Sequence, residues 1–236
     1  MIKLFDNSNN QNKIKLNNIL SKIQCIYDTG IYPINYSVVF DIVKILADNI
    51  NYRNNKALLI NTQIEDVWND TFTNMIYEAN EVDIKKEIII EIGKHPVLSN
   101  IWNKKRQIDT LKIFSEKEKD WQIKLLNHNY YLLLPMGLTV IVNGFHSTNA
   151  GIVKSVGHLC FSPNLENPKV FDLAPLYESV FFDGTYYREM KTRKIKQRYG
   201  NEKGKSIFEL GCIYEIGRII HNESKKGHII NFPYRL

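Results

Sequence analysis

The chain is organised around residues 138–156, which read LTVIVNGFHSTNAGIVKSV. Its β-branched run predicts a strand, Asn143-Gly144 predicts a tight turn, and Ser147 is a residue type that caps helices. A helix N-terminus presents unpaired N–H groups and a positive dipole end, which favour an anion such as phosphate. His146 adds a titratable side chain to the same turn. We therefore expect a nucleotide- or phosphate-binding site here.

Residues 1–80 predict a helical layer, because apolar residues recur there at helical spacing in three places. The first helix ends near Gly30, the second begins near Pro33, and the third begins at residues 62–65 (Thr-Gln-Ile-Glu), a capping-box pattern. The second helix is expected to carry Val38, Ile42, Ile45 and Leu46 on one apolar face.

Residues 81–236 predict an α+β domain, and together with the helical layer they could form one compact domain of residues 1–236. Strands are expected at residues 86–92, 121–126, 130–134, 138–142 and 169–173, and a hairpin around Asp183-Gly184. A short helix is expected at 103–114. A final helix begins at a second capping-box pattern, residues 206–209 (Ser-Ile-Phe-Glu). The predicted fold is an N-terminal helical layer packed on a mixed or antiparallel sheet with a C-terminal helix.

The bulk composition predicts a cytoplasmic protein. The sequence contains no run of about 18 apolar residues, so no membrane span is predicted. Residues 1–10 lack the apolar core of a secretory signal. The cysteines are too far apart to suggest a disulfide framework or a zinc pattern, so no metal site is predicted. They are Cys25, Cys160 and Cys212.

The chain carries a net charge of +6, which permits a polyanionic partner without requiring one. Much of the excess lies in the basic segment from Arg188 to Lys205, which also holds Tyr199 and follows Tyr186 and Tyr187. Aromatic and basic side chains together can stack on bases and contact phosphates, so this segment is a candidate nucleic-acid surface. A solvated loop is the alternative.

Two side chains are candidates for catalysis. His146 lies among small or polar residues, namely Asn143, Gly144, Ser147 and Thr148. Arg106 can fork onto two phosphate oxygens, and the nearby Trp102 can stack on a base or shield the pair from water. His95 is a further binding candidate. The alternatives are a histidine that only bonds a neighbouring loop and an arginine on a solvated helix face.

Several segments together resemble an uncharacterised bacterial family (domain of unknown function 6710), over about residues 90–220. This resemblance implies no established activity. The matching segments are His95-Pro-Val-Leu, Trp102 with Arg106, Pro135-Met-Gly, Asn143-Gly-Phe-His-Ser with Ala150-Gly-Ile, Phe171-Asp-Leu-Ala-Pro-Leu-Tyr177, Phe182-Asp-Gly184 and Phe208-Glu-Leu-Gly-Cys-Ile-Tyr-Glu-Ile-Gly-Arg218.

A strand that ends in Asn-Gly-x-His before a helix is also similar to the nucleotide-binding turn of ParB/sulfiredoxin-like domains. That resemblance implies binding of CTP or ATP with Mg²⁺, and phosphate transfer or nucleotide hydrolysis. His146 corresponds to the turn histidine and Arg106 to an upstream phosphate contact. Ser147 stands where that family usually has arginine.

Two other functions remain open from the sequence. His146-Ser147-Thr148 resembles the His-Gly-Thr/Ser strand that holds the nicotinamide ribose in ADP-ribosyltransferases, which implies an NAD-using enzyme. The basic segment instead suggests a nucleic-acid- or partner-binding protein of a mobile-element or defence system. Whether the protein is an enzyme, and its oligomeric state, are left open by the sequence.

Overall fold

The computed structural model describes residues 2–29, 37–116, 128–196 and 206–227, which form an α+β fold. Long helices occur at both ends of the chain, and shorter helices lie between the strands. The helices are α1 (Ile2–Asp28), α2 (Ser37–Leu59), α3 (Thr71–Met75), α4 (Lys104–Glu116), α5 (Phe145–Lys154) and α6 (Phe208–Lys225), with 3₁₀ turns at Val67–Asn69, Ile76–Glu78 and Ala174–Glu178.

The main sheet is mixed, as one of the two sequence alternatives predicted. Its strand order is β1-β7-β4-β5-β3, with β4 and β5 forming an antiparallel hairpin and the β3–β5 and β4–β7 pairs parallel. Separate pairs join β2 to β6 and β8 to β9. The strands are β1 (Asn80–Val82), β2 (Ile88–Glu91), β3 (Val97–Leu98), β4 (Asn129–Leu134), β5 (Leu138–Asn143), β6 (His158–Phe161), β7 (Lys169–Asp172), β8 (Val180–Phe182) and β9 (Tyr187–Glu189).

The predicted strands and hairpin are confirmed wherever the structure describes them. The strands expected at 86–92, 130–134, 138–142 and 169–173 form β2, β4, β5 and β7. The hairpin turns at Asp183-Gly184, where the Asp183 carboxylate accepts bonds from the amides of Thr185 and Tyr186. The strand expected at 121–126 lies outside the described residues.

The two faces of the main sheet bury different apolar clusters, because side chains alternate along a strand. Leu133 of β4 belongs to the larger cluster, which α1, α2 and α6 share. Leu132 faces the other way, into a smaller cluster with the β2–β6 pair. The helical layer and the C-terminal helix therefore cover one face. No helix among the described residues has both the length and the hydropathy to cross a membrane.

The buried face of the second helix is rotated from the predicted one. Of the four predicted residues, Ile42 and Leu46 pack against the core, whereas Val38 and Ile45 are exposed. The buried side chains are Val39, Phe40, Val43, Ala47 and Ile50. Contacts of α2 with α6 and with β3 select this rotation.

Both predicted capping boxes are also wrong. No helix begins at residues 62–65, since α3 begins only at Thr71, and Glu65 pairs with Arg53 of α2. Glu209 does not cap the start of α6, because its carboxylate also pairs with Arg53. The N-cap of α3 is Asp70, whose carboxylate accepts the amide of Phe72 at 2.9 Å. The N-cap of α6 is Ile207. A charged partner distant in sequence has displaced the local pattern.

Close packing explains the glycines of α6. A Cβ at Gly211 would overlap the ring of Phe182, and one at Gly217 would overlap the hydroxyl of Tyr177. The expected pair on this helix is present, since Arg218 Nε donates to Glu215 Oε2 at 2.7 Å.

Candidate functional site

The candidate site begins where β5 ends and α5 starts. Gly144 is the N-cap of α5 and has φ of 83°, a left-handed conformation that glycine adopts without steric cost. The predicted cap was Ser147, and this is wrong, because Ser147 lies inside the first turn and its hydroxyl donates back to the carbonyl of Gly144 at 3.0 Å. A glycine N-cap offers no side chain to the first amides of the helix.

A pocket of about 460 Å³ opens at this helix start, between α4 and α5. It brings together six of the eight residues that the sequence predicted for binding or catalysis. No described carboxylate lines it. The lining residues are Trp102, Arg106, Thr110, Asn143, Gly144, Phe145, His146 and Ser147.

The charged group of this pocket is Arg106, which α4 presents from its first turn. Asn103 starts that helix, since its side-chain oxygen accepts the amide of Arg106 at 2.9 Å. The guanidinium lies 5.4 Å from the ring centroid of Trp102, a cation–π distance, and the Trp102 side chain is 59% exposed. Among the described residues, Arg106 forms no ion pair.

His146 links the two helices across the pocket. Its Nε2 lies 3.1 Å from the carbonyl oxygen of Asn103, so that nitrogen carries a proton and donates it. Its ring lies 5.4 Å from that of Trp102. Burial lowers the pKa of His146 below its ordinary value, the bond to Asn103 opposes that shift, and the charge of Arg106 lowers the pKa further. The imidazole is therefore neutral near pH 7, with Nδ1 as its acceptor.

Two predicted site residues lie elsewhere. His95 does not line the pocket, and its Nδ1 accepts the amide of Glu91 at 2.7 Å in the turn after β2. Thr148 is fully buried on the inner side of α5. Helix periodicity accounts for Thr148, since the residue after Ser147 points about 100° further round the helix.

Sequence reasoning missed His128, which is 7% exposed and lies just before β4. Its Nε2 is 2.7 Å from the Oγ of Ser147, 19 positions away in the chain. The pairing depends on the β4–β5 hairpin, whose register places Asn129 opposite Asn143. The available signal was the place of His128 between the strands predicted at 121–126 and 130–134.

The structure thus defines an α+β protein with a cationic pocket at a helix start. A comparison with protein families matches residues 2–226 to the "Family of unknown function (DUF6710)". The chain belongs to this family. Comparisons with curated proteins and with solved structures give no significant match. The ParB/sulfiredoxin resemblance is not shown by any of these comparisons and stays a prediction.

Proposed function

We propose that the pocket between α4 and α5 binds a phosphate group, carried by a nucleotide such as CTP or ATP or by another phosphate ester. The observation that carries this proposal is the combination of an uncapped helix start with Arg106 in a pocket that no described carboxylate lines. Both groups attract anions, and their donors suit phosphate oxygens. Phosphotransfer or hydrolysis is the chemistry that such a site would serve, with Mg²⁺ accompanying a bound triphosphate.

The geometry favours this function over the NAD-using alternative. That alternative depends on His146, Ser147 and Thr148 lying along one strand, whereas all three lie in the first turns of α5. Thr148 is buried there, so it cannot join His146 at a nicotinamide ribose. The pocket volume of about 460 Å³ is within the range of small-molecule sites, roughly 300–1,000 Å³.

A melting-temperature screen tests the proposal. Sulfate, inorganic phosphate, CTP, ATP and NAD are compared, each with and without Mg²⁺. A ligand at 100 times its Kd stabilises the folded state by about 2.7 kcal/mol, which is a readily measured shift. Phosphate-bearing ligands should raise the Tm of the wild type and of Lys105→Gln, and should not raise that of Arg106→Gln.

Lys105 is the matched control, because it is the exposed neighbour of Arg106 on α4 and does not line the pocket. An equal shift in both variants would place the binding site elsewhere. No shift with any ligand would contradict the proposal.

A second candidate function is nucleic-acid binding at the basic segment. Arg193 lies 4.9 Å from the ring centroid of Phe181, and both line a depression of about 420 Å³ that also includes Lys13. Two of the basic side chains are neutralised, since Arg188 pairs with Asp183 and Lys196 with Glu78.

The informative variant therefore reverses Lys191, Arg193 and Lys194 to glutamate. Mobility-shift titration should show loss of DNA or RNA binding in this variant, and wild-type affinity should fall steeply with salt. No retardation of the wild type at low salt would remove this candidate.

A further inference from the structure

A serine and a histidine form a close pair at the wall of the phosphate pocket. Ser147 lines the pocket, and its Oγ lies 2.7 Å from Nε2 of His128. His128 is nearly buried. A hydroxyl at hydrogen-bond distance from an imidazole is the arrangement by which proteins activate serine as a nucleophile.

The bonding of this hydroxyl allows two proton arrangements. Ser147 carries one hydroxyl proton, and it can donate to the carbonyl of Gly144 at 3.0 Å or to Nε2 of His128. In the first arrangement Nε2–H donates to Oγ. In the second Nε2 accepts, and the serine is ready to lose its proton.

The other pocket hydroxyl lacks such a partner. Thr110 Oγ1 donates to the carbonyl of Arg106 at 2.8 Å within its own helix. Among the described lining residues, Ser147 alone therefore combines a hydroxyl, a neighbouring imidazole and a place at the start of α5.

We propose that Ser147 is the nucleophile of a phosphoryl transfer and that His128 is its general base. This proposal rests on the proposed phosphate-binding function. A phosphate monoester is favoured over an uncharged carboxylic ester, because Arg106 and the α5 amides present positive charge to the pocket.

The reaction has two balanced steps. Ser147 Oγ attacks phosphorus, its proton moves to Nε2 of His128, and the bond from phosphorus to the ester oxygen breaks. The leaving alkoxide or phenoxide takes the proton from the imidazolium, which returns His128 to its neutral form. In the second step water attacks the phosphoserine and His128 accepts a proton from that water. The Oγ–phosphorus bond breaks to release inorganic phosphate, and the imidazolium returns its proton to Oγ and restores the serine hydroxyl.

The experiment uses p-nitrophenyl phosphate as the substrate and sulfate as the binding probe. Release of p-nitrophenolate is followed, and acid-quenched protein is digested to locate any phosphoryl group by mass spectrometry. The wild type should carry one phosphoryl group on Ser147 during turnover. Ser147→Ala should lose both the label and the turnover, while it still binds sulfate in calorimetry.

Two further variants separate catalysis from structure. His128→Gln keeps a side chain that can hydrogen-bond Ser147 but cannot act as a base, so turnover should fall about 100-fold or more with sulfate binding retained. Ser115→Ala should behave as the wild type, since Ser115 is a serine on α4 that does not line the pocket.

The outcomes distinguish this proposal from the proposed function. Sulfate binding without turnover, or turnover without a phosphoryl group on Ser147, would overturn the nucleophile and leave phosphate binding intact. Wild-type turnover in His128→Gln would overturn the base. Failure of the wild type to bind sulfate would overturn the proposed function itself.

Discussion

The start of α5 and the start of α6 are built in opposite ways. At α6, the amide of Ile207 donates to the carboxylate of Asp70 at 2.6 Å, and Glu209 lies in the first turn. At α5, the described first turn holds no acidic residue, and the N-cap is a glycine. Carboxylates lie at the positive end of α6, whereas the positive end of α5 faces a pocket that no described carboxylate lines. The contrast identifies which helix start is available to a ligand.

Two arginines repeat this contrast. Arg218 lies over the rings of Tyr177 and Tyr214, donates to the carboxylate of Glu215, and also donates to the carbonyls of Tyr177 and Val180. Arg106 also lies over an aromatic ring, but no described carboxylate pairs with it. An arginine–aromatic contact therefore does not by itself indicate function. The presence or absence of an acidic partner separates the structural arginine from the candidate ligand contact.

The largest expected effect is on Arg218→Ala. The substitution leaves Glu215 buried without its cation, and breaking a buried pair in this way typically costs about 3–5 kcal/mol. Arg106→Ala is the comparison variant and should leave the free energy of unfolding nearly unchanged. Urea denaturation of both measures the difference. Equal losses would show that Arg106 has a structural role too.

A smaller loss is expected for Gly217→Leu, because the added side chain would meet Tyr177 and the Met136 methyl group. Overpacking of this kind typically costs about 1–3 kcal/mol. Asn222→Leu places the same side chain at an exposed position of the same helix and should cost much less. An unchanged denaturation midpoint for Gly217→Leu would disprove the close packing of α6.

Asn143→Asp places an acidic residue next to the start of α5, as is found at the start of α6. A carboxylate there should stabilise the helix by about 0.3–1 kcal/mol through the dipole and should repel an incoming anion. We therefore expect a raised melting temperature together with weaker sulfate binding. Asn164→Asp is the control, since it makes the same charge change at an exposed loop position outside the pocket. Sulfate affinity that falls equally in both variants would point to net charge instead of the helix start.

The smallest expected effect concerns His146 and pH. Burial lowers its pKa below about 6.5 in the free protein, and a bound anion favours the charged form and so raises the pKa again. Sulfate affinity should therefore increase as the pH falls. The increase begins near the pKa of His146 in the sulfate complex and ends below the pKa of His146 in the free protein. Sulfate keeps its charge over this range, so the change reports on the protein.

Calorimetry at several pH values measures the dependence, which His146→Ala should flatten. His158→Asn, an exposed histidine outside the pocket, should retain it. A dependence that survives in His146→Ala would assign the titration to another group.

The features predicted correctly from the sequence are those that depend on residues close together in the chain. The β5 strand, the Asn143-Gly144 turn and the hairpin at Asp183 each depend on neighbouring residues, and each is present. Six of the candidate site residues meet in one pocket because the turn and the helix that follows carry most of them.

The errors arose where distant residues compete for a group. Glu209 fits a capping box by sequence, but Arg53 of α2 pairs with it. The rotation of α2 and the parallel strand pairs depend on packing that no local pattern contains. The same holds for His128, whose contact with Ser147 exists only after β4 and β5 have paired.

The packing of α6 has a consequence for synthesis. This helix is the last described element to leave the ribosome, yet α1 and α2, the first two, bury apolar side chains in the cluster that it completes. Gln24 of α1 even bonds Glu223 near the far end of α6. Until α6 has been translated, the nascent helices therefore lack the surface that shields them from water and from other chains. A ribosome-bound chain stalled before residue 208 should bind a holdase chaperone that the released protein does not.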